Sequence, residues 1–251
     1  MKVLVVTGTG TDVGKTVVAA AIAATAAAGG WRVAVVKPGQ TGVADDEPGD
    51  LDEVRRLTGI DDLHEYGRFR DPLAPATAAR MEGRPPVDLR AAAEAITILK
   101  RDRDLVVVEG AGGLLVRYDD RGSTLADLAD RLNAPVVVVA EPALGTLNHT
   151  ALTVEALQRR GLVCGGVVLG RWPAEPDLAC RANLVDLPRL PGVTLAGALP
   201  DGAGRLDPVG FAEVARAGLH PTLGGTFDAA DFAARFPVAE AALTPAPKDA
   251  P

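Results

Sequence analysis

Cysteine is scarce in this 251-residue chain: there are two, Cys164 and Cys180. That count excludes a disulfide scaffold. The pair reads as a buried core thiol on an apolar strand (Cys164) and a loop thiol (Cys180), neither with a redox role. The three histidines, His64, His149 and His220, are scattered and cannot complete a metal cluster with two cysteines. Aromatics make up only 4% of the chain, too few for a base-stacking platform. Basic residues are outnumbered, 26 Lys+Arg against 33 Asp+Glu, for a net charge of −7. Nucleic acid is thereby excluded as the main partner, because phosphate-backbone binding needs a basic face. A small anion, which needs only one local basic pocket, is not excluded. No apolar stretch reaches the about 18 residues of a membrane span. The N-terminus imitates a secretory leader, with Lys2, an apolar run and Ala26-Ala27-Ala28. Gly8, Gly10, Asp12, Gly14 and Lys15 interrupt the would-be apolar core. The expectation is a cytoplasmic protein with neither a nucleic-acid nor a membrane partner.

What is present is an ordinary globular composition, 47% hydrophobic and 24% charged, arranged in a repeating order. Val3-Leu4-Val5-Val6 is a continuous apolar run, as in a strand covered on both faces. Residues 15–28 are Ala-rich without Pro or Gly and predict a helix, ended by Gly29-Gly30. Val33 to Val36 predicts a second strand and completes a right-handed βαβ unit. Helices are expected over 50–58, 88–101, 123–132 (capped by Ser123 or Thr124) and 146–160. Strands are expected over 105–108, 136–139, 163–169 and 193–198. Alternation of this kind means an α/β fold, three layers with a mostly parallel sheet and helices on both faces. One domain is expected over 1–225. Residues 226–251 form an appendage: an amphipathic helix over 226–236 carrying Phe227, Phe232 and Phe236, then a Pro/Ala-rich tail from Thr244.

Gly8-Thr9-Gly10-Thr11-Asp12-Val13-Gly14-Lys15-Thr16 lies between the first strand and the first helix. Gly14-Lys15-Thr16 matches the end of a Walker A loop, although the position six before the lysine is Thr9 and Gly8 comes one residue earlier. Glycines let successive backbone N–H groups turn inward around phosphate oxygens, and the helix N-terminus adds partial positive charge. Lys15 reaches the β- and γ-phosphates, and the Thr16 hydroxyl suits Mg²⁺.

In an open parallel sheet the site lies at the C-terminal ends of the strands, and three further charged groups fall there. Lys37 follows the second strand, its exit stiffened by Pro38, and taken alone reads equally as a snorkelling surface lysine; Thr41, in the same loop, also suits a plain turn. Glu109 ends the third strand in Val108-Glu109-Gly110-Ala111-Gly112-Gly113, placed either as a Walker B carboxylate or as a helix cap. Asp50 opens the next helix, where a lone Asp is most often an N-cap rather than a metal ligand; Asp52 suits either role. Gly145-Thr146-Leu147-Asn148-His149 begins a helix whose free N–H groups suit a carboxylate, with His149 a structural residue.

Together these segments resemble the dethiobiotin synthetase family, over roughly residues 1–200. The resemblance implies an α/β three-layer fold of the P-loop NTPase type and a homodimeric enzyme. It makes the ureido ring of dethiobiotin from 7,8-diaminopelargonic acid, CO₂ and ATP, in biotin biosynthesis. It implies that Gly10, Thr11, Asp12, Val13, Gly14, Lys15 and Thr16 hold the nucleotide together with Glu109, Gly110, Gly112 and Gly170. It implies Thr16, Asp50 and Glu109 as Mg²⁺ ligands, and Lys37, Thr11 and Lys15 as catalytic residues around the carbamate and γ-phosphate, with Thr41 beside them. Thr146, Leu147 and Asn148, from the partner subunit, would receive the substrate's tail carboxylate. The chain departs from the family after the fifth strand. Where many relatives carry Asn-Asp to recognise the base, it reads Gly170-Arg171. Base recognition then falls to backbone groups, with ATP the default and other nucleoside triphosphates admitted.

Two other readings are weaker. A partitioning-type ATPase usually carries a second lysine early in the loop, where this chain has Gly10. A cobyrinate-type amidation enzyme appends a glutamine-using domain, for which too few residues follow the sheet.

Overall fold

The computed structural model describes residues 2–238. In chain order the elements are β1 (Val3–Gly8), α1 (Lys15–Ala28), β2 (Val33–Lys37), β3 (Gln40–Thr41), α2 (Asp50–Thr58), β4 (Leu63–Glu65), β5 (Arg68–Phe69), α3 (Pro75–Met81), α4 (Leu89–Asp102), β6 (Leu105–Gly113), α5 (Leu125–Leu132), β7 (Val136–Ala140), α6 (Thr146–Gln158), β8 (Cys164–Trp172), α7 (Leu178–Asp186), β9 (Leu195–Pro200), α8 (Pro208–Gly218) and α9 (Ala229–Ala234). Seven strands form one sheet in the order β4-β2-β6-β1-β7-β8-β9, and every neighbouring pair is parallel. β3 and β5 form a small separate ladder.

The apolar runs explain the layering. Successive side chains of a strand point to opposite faces. Val3 and Val5 of β1 pack with α4 to α7 on one face, whereas Leu4 and Val6 pack with α1, α2 and α8 on the other. The inner strands are buried on both sides, and each such valine contributes about 1.5–3 kcal/mol of burial. α1 is sunk so deep that Val18 to Thr25 are all buried, so its small alanines let it lie close against the sheet.

Several elements lie outside the sequence expectation. β4 is three residues at a sheet edge, half-buried, and shows no apolar run. α3 and α8 begin with Pro75 and Pro208, the second behind an Asp207 cap that accepts from Gly210 N–H at 2.8 Å. α7 overturns the placement of Cys180 in a loop: Asp177 caps a helix there, and the thiol is buried beneath it. Burial pushes that thiol up to about 11. Cys164, expected to be buried, is partly exposed at the start of β8. Thr124, not Ser123, caps α5, with the Asp127 carboxylate accepting both its N–H and its hydroxyl at 2.7 Å. The helix expected over 226–236 shortens to α9, while Phe232 and Phe236 pack on Trp172 with ring centroids 5.2 and 5.0 Å away. The tail from Thr244 falls outside the described residues. Among the described residues no helix is long and apolar enough to cross a membrane.

Candidate active site

β1, β2 and β6 lie side by side, and their C-terminal ends open into a cleft of about 550 Å³. The loop from β1 to α1 reverses sharply at Gly14, whose φ of 94° belongs to the left-handed region and suits glycine alone. The turn sets the N-terminus of α1, with Lys15 and Thr16, at the cleft. Lys15 is buried, and its Nζ donates to Gly10 O at 3.0 Å. Burial and the neighbouring Lys37 both hold its pKa below the usual lysine value.

Lys37, at the end of β2, is 3% exposed. Its three N–H donors are matched by three acceptors: Asp50 Oδ2, Glu109 Oε1 at 2.8 Å and Gly110 O at 3.2 Å. Burial opposes the ammonium, yet the Glu109 and Asp50 carboxylates outweigh it and raise the pKa above the ordinary lysine value. Glu109 is fully buried; its Oε1 also accepts from the Thr16 hydroxyl at 2.8 Å, and its Oε2 has no hydrogen-bond partner. Burial raises its pKa, with the Asp50 carboxylate adding to the effect against the pull of Lys37.

Asp50 and Asp52, equivalent in the sequence, have separate jobs. The Asp52 side chain accepts from Gly49 N–H at 2.8 Å and closes the start of α2. The Asp50 amide is met instead by Gln40 Oε1 at 3.0 Å. Its carboxylate is left free to face Lys37, which holds its pKa low despite partial burial.

The opposite wall of the cleft is mostly backbone. β8 passes so close to the phosphate loop that a Cβ on Gly170 would sit 2.1 Å from Val13 O. Beyond it the turn after β9, Asp201 to Arg205, closes the cleft. The Arg171 guanidinium ties the two together, donating to Asp201 Oδ1 at 3.1 Å and to Asp12 O at 3.3 Å. Arg56 of α2 fastens the same turn from outside. It donates to Leu206 O at 3.1 Å and to Gly204 O, and is itself held by Glu53 at 2.6 and 2.8 Å.

Thr11, Asp12, Gly14, Lys15, Thr16, Lys37, Thr41, Asp50, Glu109, Gly112 and Gly170 all line this one cleft. Gly10 and Gly110 do not line it; their carbonyls accept from Lys15 and Lys37, which do. Val13 is buried behind the loop. Thr146, Leu147 and Asn148 do not join them. They form the first turn of α6, after β7, where the Thr146 and Thr150 hydroxyls are buried without hydrogen-bond partners.

The family model described as an AAA domain matches residues 2–204. The ATP-dependent dethiobiotin synthetase BioD of Parafrankia sp. (strain EAN1pec) is 60% identical over 238 residues, covering 95% of this chain and 100% of that one. That of Frankia casuarinae is 63% identical over 236 residues, covering 94% and 99%. This chain belongs to the dethiobiotin synthetase family. A solved structure of the septum site-determining protein MinD from Pyrococcus horikoshii, complexed with Mg-ADP, superposes with a TM-score of 0.53 at 16% identity, covering 89% of this chain and 94% of that one. That likeness concerns the fold alone.

For a dethiobiotin synthetase chain, the residues that sequence reasoning passed over are informative. Gln40, Glu53, Arg56 and the 201–205 turn carry no motif, because they act through backbone contacts or by holding other groups. Arg171 had a signal, being adjacent to Gly170 at a strand end.

Proposed function

We propose that this chain closes the ureido ring of dethiobiotin from 7,8-diaminopelargonic acid, CO₂ and ATP, in the cytoplasm, and that the cleft at the ends of β1, β2 and β6 is where it does so. The observation that carries the reading is Lys37, a buried ammonium facing the same cleft as the phosphate-loop lysine.

The chemistry calls for such a pair. One amine captures CO₂ and loses a proton, giving a carbamate anion. A carbamate oxygen then attacks the γ-phosphorus of ATP and expels ADP. Two anions must approach each other in that step, and Lys15 and Lys37 offset their repulsion and stabilise the charge that develops. The second amine attacks the carbamoyl carbon of the mixed anhydride, loses a proton and expels inorganic phosphate. Because it is tethered to the same chain as the first, closure gains from proximity. No protein nucleophile is needed.

Thr16, Asp50 and Glu109 fit a Mg²⁺ ion. They are hard oxygen donors, and the buried, partnerless Glu109 Oε2 is an acceptor that calls for a cation. Bound there, the ion would neutralise phosphate charge. Thr11 and Thr41 line the cleft beside Lys37 and contribute hydroxyls toward the reacting groups. The Gly170 wall offers backbone rather than a side chain to the base, which suits ATP and admits other nucleoside triphosphates. In a homodimer, Thr146, Leu147 and Asn148 of the partner subunit would take the tail carboxylate at the N-terminus of its α6, where free N–H groups favour an anion.

The test is to mix the purified protein with the diamine, bicarbonate, Mg²⁺ and ATP. Phosphate release that depends on the diamine, with dethiobiotin as product, is expected. ATP hydrolysis indifferent to the diamine would overturn the reading.

A further inference from the structure

Tyr118 is the largest fully buried side chain of the described residues, and the chemistry above makes no use of it. It sits behind the two loops that carry Lys37 and Glu109. On one side its ring packs against the loop after β2: a Cβ on Gly39 would lie 3.2 Å from Tyr118 Cε1. On the other its hydroxyl accepts from Ala111 N–H at 2.7 Å.

The acceptor matters because of which peptide it holds. Gly110 O and Ala111 N–H belong to one peptide unit. No cis peptide bond occurs among the described residues, so in this trans unit the carbonyl and the N–H point in opposite directions. Gly110 O accepts from Lys37 Nζ at 3.2 Å on one side while the phenol takes the N–H on the other. The unit also lies in a break of the sheet register. The β2 register on β6 ends at Val108, and the β1 register passes from Glu109 directly to Gly113. Without the phenol the plane of this glycine-led peptide would be free to tilt. Of the three acceptors of Lys37, two are carboxylates with rotamers of their own, whereas Gly110 O is fixed only by that plane. Phenylalanine would fill the same volume, so the hydroxyl is the feature to explain.

We propose that Tyr118 is a positioning residue for the reaction, holding the Gly110–Ala111 peptide so that its carbonyl aims the Lys37 ammonium into the cleft. Hydrogen bonds in such a chain polarise one another, so the phenol also strengthens the carbonyl as an acceptor. This rests on the reading of Lys37 given above.

The experiment is Tyr118→Phe in the full chain, alone and combined with Lys37→Met. Expected for Tyr118→Phe is a kcat about tenfold lower, the size of one hydrogen bond, with the KM for ATP within about twofold. In the Lys37→Met background, single-turnover phosphate release should not fall further, because the phenol acts through the lysine. Amide exchange at Ala111 should accelerate in Tyr118→Phe. An unchanged kcat, an equal fall in both backgrounds, or unchanged Ala111 exchange would each overturn the proposal. If the unsubstituted protein shows no diamine-dependent phosphate release, the functional reading fails instead, and the exchange measurement still decides whether Tyr118 holds the peptide.

Discussion

The two ends of the cleft are built by different means. At one end, β2, β6 and the start of α2 bring charged side chains together: the buried Lys37 is paired at close range with the buried Glu109 and the partly buried Asp50. At the other end, backbone does the shaping: Gly170 lies against Val13 O, and Arg56 and Arg171 reach in to hold carbonyls. The first end has charge to act on a reaction. The second is shaped mainly by backbone, its charged groups being exposed and turned to holding the loops, and so is suited to bind and exclude. The end with buried charges should therefore control turnover, and the backbone end should control nucleotide affinity.

The most forceful way to break this contrast is Lys37→Ala. Removing the ammonium takes away transition-state charge stabilisation and leaves Glu109 and Asp50 facing each other, so kcat should fall by about 10²–10³. ATP affinity, measured by calorimetry, should be largely kept. Collapse of affinity with turnover at saturation intact would reverse the roles of the two ends. At the backbone end, Gly170→Asn introduces a side chain into a place where even a Cβ meets Val13 O at 2.1 Å. The phosphate loop must shift, and ATP affinity should drop by about tenfold or more, as overpacking costs about 1–3 kcal/mol. Affinity equal to or better than the unsubstituted protein's would show that the loop has room to yield. The smallest effect is expected from Arg56→Ala, which unfastens the 201–205 turn from α2. The side chain is about half exposed, so the KM for ATP should rise only about three- to fivefold, with kcat unchanged. A fall in kcat with KM unchanged would mean that α2 transmits the change to Asp50 rather than to the turn.

The same division decides what is legible in the chain. Strands covered on both faces announce themselves as runs such as Val136 to Val139, and side chains at their ends inherit a known direction. Lys15, Lys37 and Glu109 can therefore be assigned to one cleft from the residue pattern alone. Asp50 is ambiguous with Asp52 at that level, because each suits a helix start. The choice rests on Gln40, ten residues away in sequence, which meets the Asp50 amide. The 201–205 turn leaves no pattern, since glycine and alanine shape it by what they omit. Tyr118 lies in no motif, and only its hydroxyl against Ala111 N–H marks it. β4 and α7 escape the pattern for a similar reason: one is too short for a period, and the other is announced only by its Asp177 cap.

β1 occupies the middle of the sheet, yet its neighbours come late: Val3 pairs with Val106 and Val5 with Val136. The strand that carries the phosphate loop therefore has no sheet partner until β6 and β7, far along the chain, are available to pair with it. Closing loops of that length costs entropy before contacts repay it, so assembly of the centre is slow relative to local helix formation. During that interval the Val-rich β1 has unpaired edges that can join another chain. The central placement that makes the finished site rigid therefore makes the nascent chain dependent on rapid completion.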